Sequence, residues 1–290
     1  MNLDKGPARK LIQHTVENHK QLGVECAFET IPSEKHPEYN EDAILTDERK
    51  KVFGVFDGVG GLSAGELASK TACYYFMDYL NDFLSNDVDI EKIKRKILEI
   101  FNGADKAVKD KADEKGVGEI ATTATVLKIF NDYALIASVG DSRAYKINSK
   151  GEVQQITLDD DDLSVYFVGA ERKEMAEHIA NARRIEDLTD DELTFFRVRN
   201  IITKAIGFKN SKPNIYVVPI EKGDCFLLTS DGIHDNLTTD EIEEITKQSK
   251  VPAEIAKKLK EKAVARSKEP KSVEMRAKKD DMSVVVVGIK

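Results

Sequence analysis

TTATVLKIFNDYALIASVGDSRAYKI, residues 122–147, holds three β-rich runs in quick succession. Thr122–Ile129, Tyr133–Val139 and Arg143–Ile147 are broken only at Asn131-Asp132 and Gly140-Asp141, residue pairs that favour turns. Links this short close hairpins but cannot carry a parallel crossover, which needs about a dozen residues or more. This part of the chain therefore reads as an antiparallel sheet.

Towards the N-terminus, Val52–Phe56, Ala43–Leu45 and Val24–Ile31 are further short β-rich stretches. Two helical patterns lie between them and the hairpins. Residues 64–84 place Ala64, Leu67, Ala68, Ala72, Tyr75, Phe76, Tyr79 and Leu80 near helical spacing, and a second pattern runs from Ile90 to Ala112. Residues 7–22 are polar with sparse apolar positions and read as a short surface helix, so that about 1–22 forms an N-terminal helical extension. Towards the C-terminus, residues 159–200 are charge-rich, carry Asp159 to Asp162 in a row, and read as an inserted helical flap. Strand patterns resume at Ile201–Ile206, Ile215–Ile220 and Cys225–Thr229. Helices follow at Thr239–Gln248 and Pro252–Arg266, and a last strand at Ser283–Ile289. No internal repeat and no long linker interrupts the series, so residues 1–290 read as one domain. The expected class is α+β, a central sandwich of two antiparallel β-sheets flanked by α-helices in αββα layers.

Composition narrows the function. With 41% hydrophobic and 33% charged residues, the chain of 290 has a soluble, globular balance. Its net charge of -8 and pI near 5.4 argue against an electrostatic footprint for nucleic acid. Cys26, Cys73 and Cys225 form no C-x-x-C pair and leave one over, so neither a disulfide framework nor a zinc site is indicated. Met1 to Lys5 lack the apolar core of a signal peptide, and no apolar run approaches the ~18 residues of a membrane span. The expectation is a cytoplasmic protein with neither a membrane nor a nucleic-acid partner.

Acidic residues then occupy unusual places. Asp57 ends the run Val52–Phe56 and precedes Gly58; Asp231 ends Phe226–Ser230 and precedes Gly232. Asp141 sits in the turn between two strands, and Asp280 and Asp281 lie just before the strand Ser283–Ile289. In antiparallel neighbours the end of one strand lies beside the start of the next, so such carboxylates can meet at one sheet edge. Clustered carboxylates repel one another unless cations compensate them. Oxygen ligands without Cys or His select hard ions such as Mg²⁺ or Mn²⁺. A glycine after Asp57 permits an unusual backbone angle that turns a carbonyl towards an ion. Asp-Gly is also a common hairpin signal, so four independent turns satisfy the same pattern.

At these residues the chain resembles the PPM family of protein phosphatases, the protein phosphatase 2C type, over about residues 38–289. Asn40-Glu41-Asp42-Ala43 is similar to its opening acidic motif, and Asp57-Gly58-Val59-Gly60-Gly61 to its signature. Thr122-Thr123-Ala124, Gly140-Asp141-Ser142-Arg143, Thr203-Lys204-Ala205-Ile206-Gly207, Ser230-Asp231-Gly232 and Asp280-Asp281-Met282-Ser283 follow in family order. The resemblance implies a metal-dependent phosphatase that cleaves phosphoserine and phosphothreonine in proteins, opposing a serine/threonine kinase and acting as a monomer. It implies two or three Mg²⁺ or Mn²⁺ ions. Asp57 would bridge two of them, with Asp231 and Asp280 completing the first, the Gly58 carbonyl and Glu41 serving the second, Asp42 nearby, and Asp141 with Asp231 holding a weaker third. Asp57 and Asp231 would be central to catalysis, by water activated between the ions and without a phosphoenzyme.

The chain departs from the family at several points. Pro37 stands where many members carry a phosphate-binding Arg, with Lys35 or His36 as stand-ins, and Val59 stands where eukaryotic members often have a general-acid His. Water or His234 would then protonate the leaving group. The run Asp160-Asp161-Asp162 falls near a family Asp-His-Ser and is expected to be solvated. The missing Arg motivates an alternative, a regulatory pseudophosphatase that binds phosphoproteins without turnover. A nucleotide-binding oxidoreductase is a further class, because Gly58-Val59-Gly60-Gly61-Leu62-Ser63 nearly matches G-x-G-x-x-G; the hairpin-rich middle opposes it.

Overall fold

The structure, a computed structural model, describes residues 22–59, 64–79, 90–208, 211–270 and 274–290. Eleven strands form among them: β1 Val24–Ile31, β2 Asp42–Asp47, β3 Val52–Val59, β4 Ala121–Thr122, β5 Ala124–Phe130, β6 Tyr133–Val139, β7 Arg143–Ile147, β8 Val153–Gln155, β9 Asn214–Pro219, β10 Cys225–Thr229 and β11 Met282–Ile289. The helices are α1 Ala64–Tyr79, α2 Ile90–Lys115, α3 Leu163–Tyr166, α4 Gly169–Asn181, α5 Asp190–Val198, α6 Asp231–His234, α7 Thr239–Gln248 and α8 Pro252–Ser267. The surface helix expected over 7–22 falls almost wholly outside the described residues, as does the end of the helix expected over 64–84.

Two antiparallel sheets result. One has the order β1-β11-β10-β7-β8, the other β2-β3-β5-β6-β9 with β4 attached to β3. Side chains alternate across a strand, so each strand supplies two cores. In β10, Phe226 and Leu228 face the opposing sheet while Leu227 packs under α7 and α8; in β11, Val285 and Val287 face inward and Val284 and Val286 outward. Phe53 and Val55 of β3 meet that same inter-sheet layer, whereas Phe56 packs with Phe76 of α1 and Phe101 of α2. Both faces of both sheets are thus covered, which is the αββα sandwich. It excludes the parallel doubly wound sheet of a nucleotide-binding oxidoreductase. No helix among the described residues is long and apolar enough to cross a membrane.

Three local expectations change. Ile201–Ile206 forms no strand: it makes only isolated bridges, Asp161 to Ile202 and Thr122 to Ile206. The Thr203 amide and hydroxyl instead donate to the Asp160 carbonyl at 2.6 and 3.0 Å, which removes them from any ladder. The polar segment Val153–Gln155 pairs with β7, a strand its composition did not announce. Finally, the Asp159–Asp162 run is largely not solvated. Arg143 holds Asp159 through both carboxylate oxygens at 2.7–3.1 Å. Asp160 is buried and accepts from Lys204 Nζ at 2.6 Å, Asn214 Nδ2 at 3.1 Å and the Gly140 amide at 3.2 Å. Asp161 accepts from the Ser164 amide at 3.1 Å. These acids fasten the start of the 159–200 segment to the Gly140-Asp141 turn, a satisfied polar network rather than a loose loop.

Candidate metal centre

Strand pairing sets the first two acids face to face, because the β2–β3 register makes Asp42 the partner of Asp57. The Asp57 backbone is clamped from the hairpin side. Its amide donates to Thr123 Oγ1 at 2.9 Å, and its carbonyl accepts from the Thr123 amide at 2.8 Å and Thr122 Oγ1 at 3.0 Å. Thr123 Oγ1 is also 2.7 Å from Ser142 Oγ, which ties Asp57 to the turn carrying Asp141. From the other sheet, Ser230 at the head of α6 donates to Asp42 Oδ2 at 2.7 Å and accepts from the Ser283 amide at 2.9 Å. Asp231 begins α6 and Asp280 precedes β11, so both project at the same edge.

Electrostatics shows the convergence. Burial pushes the Asp57 carboxyl well above the usual range, and the charges of Asp42, Asp231, Asp280 and Asp141 push it further. Asp42 and Asp141 are raised well above that range, again by burial first and by neighbouring acids next. Asp231 is raised to about 6, burial leading, with Lys278 opposing the shift. Glu41 is raised by burial, with Asp281 and Asp280 adding to it while His36 opposes. Buried Asp42 and Asp141, half-buried Asp57 and Asp231, and the more exposed Asp280 thus meet in one region.

A family model described as "Protein phosphatase 2C" matches residues 27–271. The chain belongs to the protein phosphatase 2C family. The serine/threonine phosphatase stp of Listeria monocytogenes is 25% identical over 224 residues, covering 76% of this chain and 81% of that protein. The Mycobacterium tuberculosis serine/threonine phosphatase PstP/Ppp superposes with a TM-score of 0.71 at 22% identity, covering 92% of this chain and 99% of that one. A PstP catalytic domain described in complex with two manganese ions gives 0.69, also at 22% identity, covering 92% and 99%. This protein phosphatase 2C member is accordingly a metal-dependent serine/threonine phosphatase, a phosphoric monoester hydrolase.

The phosphatase has side chains suited to hard cations. Asp42 is only 5% exposed, and its Oδ1 has no hydrogen-bond partner; Glu41 Oε1 is likewise buried and unpartnered. A buried, unpaired carboxylate oxygen costs several kcal/mol unless a cation meets it, typically about 1–3 for a neutral group and more for a charged one. The donors are oxygens, and the backbone is packed tightly around them. Gly58 does not use a positive φ, contrary to the expectation of an unusual angle. Its need is space: a Cβ there would lie 2.2 Å from the Gly65 carbonyl oxygen and 2.7 Å from that of Glu41.

Several residues named from the sequence take other roles here, and a further one, Lys278, was not singled out from the sequence at all. Asp281 accepts from the Ser33 amide at 2.6 Å and the Glu41 amide at 2.7 Å, so it holds the Glu41 loop. Ligand atoms of His36, Glu41 and Asp281 lie within 4.8 Å of one another. Pro37 itself is exposed. His234 is buried, with Nδ1 2.9 Å from Thr229 Oγ1, and burial foremost holds it well below its usual pKa; neutral and enclosed, it is no proton donor to a leaving group. Lys278 is the main surprise. Its Nζ contacts Asp231 and lies 3.3 Å from Asp235 Oδ2 and 3.2 Å from Asp280 Oδ2. Burial opposes its charge, but those three carboxylates outweigh burial and hold the ammonium well above the usual range. Nothing in the local sequence marks it, since only folding brings the segment before β11 against α6.

If Asp231 and Asp280 hold a divalent ion, as expected from the sequence, Lys278 would compete with it for them. Lys278→Met should bind Mn²⁺ more tightly, by roughly tenfold. The same variant should melt earlier than wild type in chelator, because Asp231, Asp235 and Asp280 lose their counter-charge. Calorimetric titration and a thermal melt read the two effects; weaker Mn²⁺ binding in the variant would show that Lys278 supports the ion instead.

Proposed function

We propose that this phosphatase removes phosphate from phosphoserine and phosphothreonine of protein substrates by direct attack of water, without a phosphoenzyme. The observation that carries the reading is the convergence of Asp57, Asp42, Asp141 and Asp231, with Asp280 at its more exposed edge, beside the unpartnered oxygens of Asp42 and Glu41. In the proposed assignment Asp57 would serve two ions, Asp231 and Asp280 the first, the Gly58 carbonyl and Glu41 the second with Asp42 close by, and Asp141 with Asp231 a third. Mg²⁺ or Mn²⁺ held by these residues would supply Lewis acidity that eases deprotonation of the attacking water and offsets charge on the phosphoryl oxygens.

The chain's own part is orientation. Thr122 and Thr123 hold the Asp57 backbone, Ser230 holds Asp42, and Asp281 holds the Glu41 amide, so the carboxylates keep their arrangement through turnover. Covalent catalysis by a thiolate lacks a candidate: burial first of all pushes Cys26, Cys73 and Cys225 up to about 12. With His234 neutral and enclosed, solvent water protonates the leaving alkoxide. A monomer opposing a serine/threonine kinase completes the reading, as does action in the cytoplasm.

A phosphothreonine peptide incubated with Mn²⁺-loaded protein should release inorganic phosphate. With ³²P-labelled peptide, acid quenching during turnover should leave no label on the protein. Protein-bound label would overturn direct water attack, and no release from any phosphopeptide would overturn the activity itself.

A further inference from the structure

A cavity of about 580 Å³ opens beside the carboxylate centre, with Asp235, Lys278 and Asp280 in its wall. This volume suits a bound side chain or a short peptide segment, since ligand sites commonly span ~300–1,000 Å³. Its sides come from four places: Arg197 and Arg199 at the end of α5, Lys268 just past α8, Lys279 beside the centre, and Lys35 from the loop after β1.

The charge of this wall is inverted relative to the molecule. Six basic side chains line the cavity against three acidic ones, Asp235, Glu269 and Asp280, an excess of three positive charges on a chain of net charge -8. The acids near the centre are already engaged, Asp235 by Arg199 at 2.8 Å and both Asp235 and Asp280 by Lys278. At the rim, Lys268 and Lys279 share the single carboxylate of Glu34, at 3.3 and 3.7 Å. Lys35 and Arg197 are exposed, and among the described residues neither forms an ion pair with a carboxylate.

Solvated lysines and a helix-terminal arginine are the bland account, since a basic residue in a last helical turn complements the helix dipole. That account covers Arg197 alone. It gives no reason for cations from separate segments to converge on one concave wall that shares Lys278 and Asp280 with the metal centre.

We propose that this cavity is a docking subsite for acidic side chains flanking the phosphorylated residue, so that the preferred substrate is a carboxylate-rich phosphopeptide segment. The inference rests on the reading of the adjacent centre as the place of phosphate hydrolysis. A concave wall with an excess of one sign of charge focuses its field, attracting an anionic segment and disfavouring a cationic one. The subsite supplies from the side of α5 and the C-terminal loop the positive charge that Pro37 does not supply from the opening motif.

The test uses phosphothreonine peptides of equal length flanked by glutamates, glutamines or lysines, with p-nitrophenyl phosphate as a substrate lacking flanks. At low salt, kcat/KM for the glutamate peptide should exceed that for the glutamine peptide roughly tenfold, the sum of a few screened charge pairs, and the lysine peptide should be poorest. Added salt should compress the ratio. In the double variant Lys35→Glu with Arg197→Glu, both exposed positions, the glutamate-to-glutamine ratio should fall to one or below. Equal kcat/KM for all three peptides, with p-nitrophenyl phosphate still hydrolysed, would overturn the subsite and leave the hydrolytic centre standing. Absence of turnover on every substrate would overturn the hydrolytic reading instead. Fluorescence anisotropy of the labelled peptides would then decide the subsite alone: preferential binding of the glutamate peptide, lost in the double variant, supports it, and equal binding refutes it.

Discussion

Asp57→Asn is expected to abolish phosphopeptide hydrolysis and at the same time to stabilise the cation-free protein. Loss of even an outer partner of a metal ligand costs about 10–100-fold in affinity or activity, so loss of the carboxylate proposed to serve two ions should exceed that range. The stability effect has the opposite sign for the same reason. Without cations, Asp57 is an acid pushed up by burial and by four neighbouring carboxylates, and replacing it with a neutral amide removes that repulsion. A gain on the order of 1–3 kcal/mol in chelator is expected. Added Mn²⁺ should raise the melting temperature of wild type by mass action and do far less for the variant. A variant with undiminished turnover would place Asp57 outside the reacting site.

The same acids give the cation-free protein an unusual pH dependence. Asp231 titrates near 6 when folded, above its ordinary 3.8. Its contribution to stability is therefore fully present below about pH 4 and is lost as the pH rises through 6, because the unfolded chain gives up its proton first. Asp42, Asp57 and Asp141 act in the same direction. Thermal melts in chelator should move upward on acidification from pH 7 to pH 5, less the opposing contribution of buried His234, held well below its usual pKa, and saturating Mn²⁺ should remove the upward part. Melts in chelator that fall on acidification would contradict the buried cluster.

Gly232→Ala is expected to damage both fold and activity, although it adds one methyl group at a helix start. A Cβ at Gly232 would lie 1.8 Å from the Asp281 carbonyl oxygen and 3.1 Å from Met282 Cγ. The backbone must part, moving α6 from the segment before β11 and so separating Asp231 from Asp280. Overpacking of this kind costs about 1–3 kcal/mol, and more where the neighbour is backbone. A drop in melting temperature of roughly 2–4 °C per kcal/mol should accompany a loss of Mn²⁺ affinity. Gly118→Ala is the control, since nothing lies within 4 Å of a Cβ there. A Gly232→Ala protein that melts and binds Mn²⁺ like wild type would show that the α6–β11 contact is loose.

The legible parts of the fold are those governed by local pattern. Tyr133–Val139, Arg143–Ile147 and Cys225–Thr229 have the boundaries their alternation and turn residues suggest. Ile201–Ile206 misled because an apolar run near Thr203 reads as a strand, whereas its backbone groups are taken by the Asp160 carbonyl, a partner some forty positions away that the local pattern does not name. The Asp159–Asp162 run misled for a related reason. Four adjacent acids resemble a solvated face until Arg143, Lys204 and Asn214 are placed around them.

By itself, the sequence determined the alternation of strands and helices, the antiparallel pairing forced by short links, and the acidic residues flanking those strands, because these depend on neighbours along the chain. Only the tertiary structure decided that Asp42 faces Asp57, that Asp281 holds the Glu41 loop, that Lys278 sits among Asp231, Asp235 and Asp280, and that Gly58 and Gly232 serve close approach rather than turning. Those facts depend on through-space burial and charge between segments as much as 240 residues apart, which no local pattern encodes.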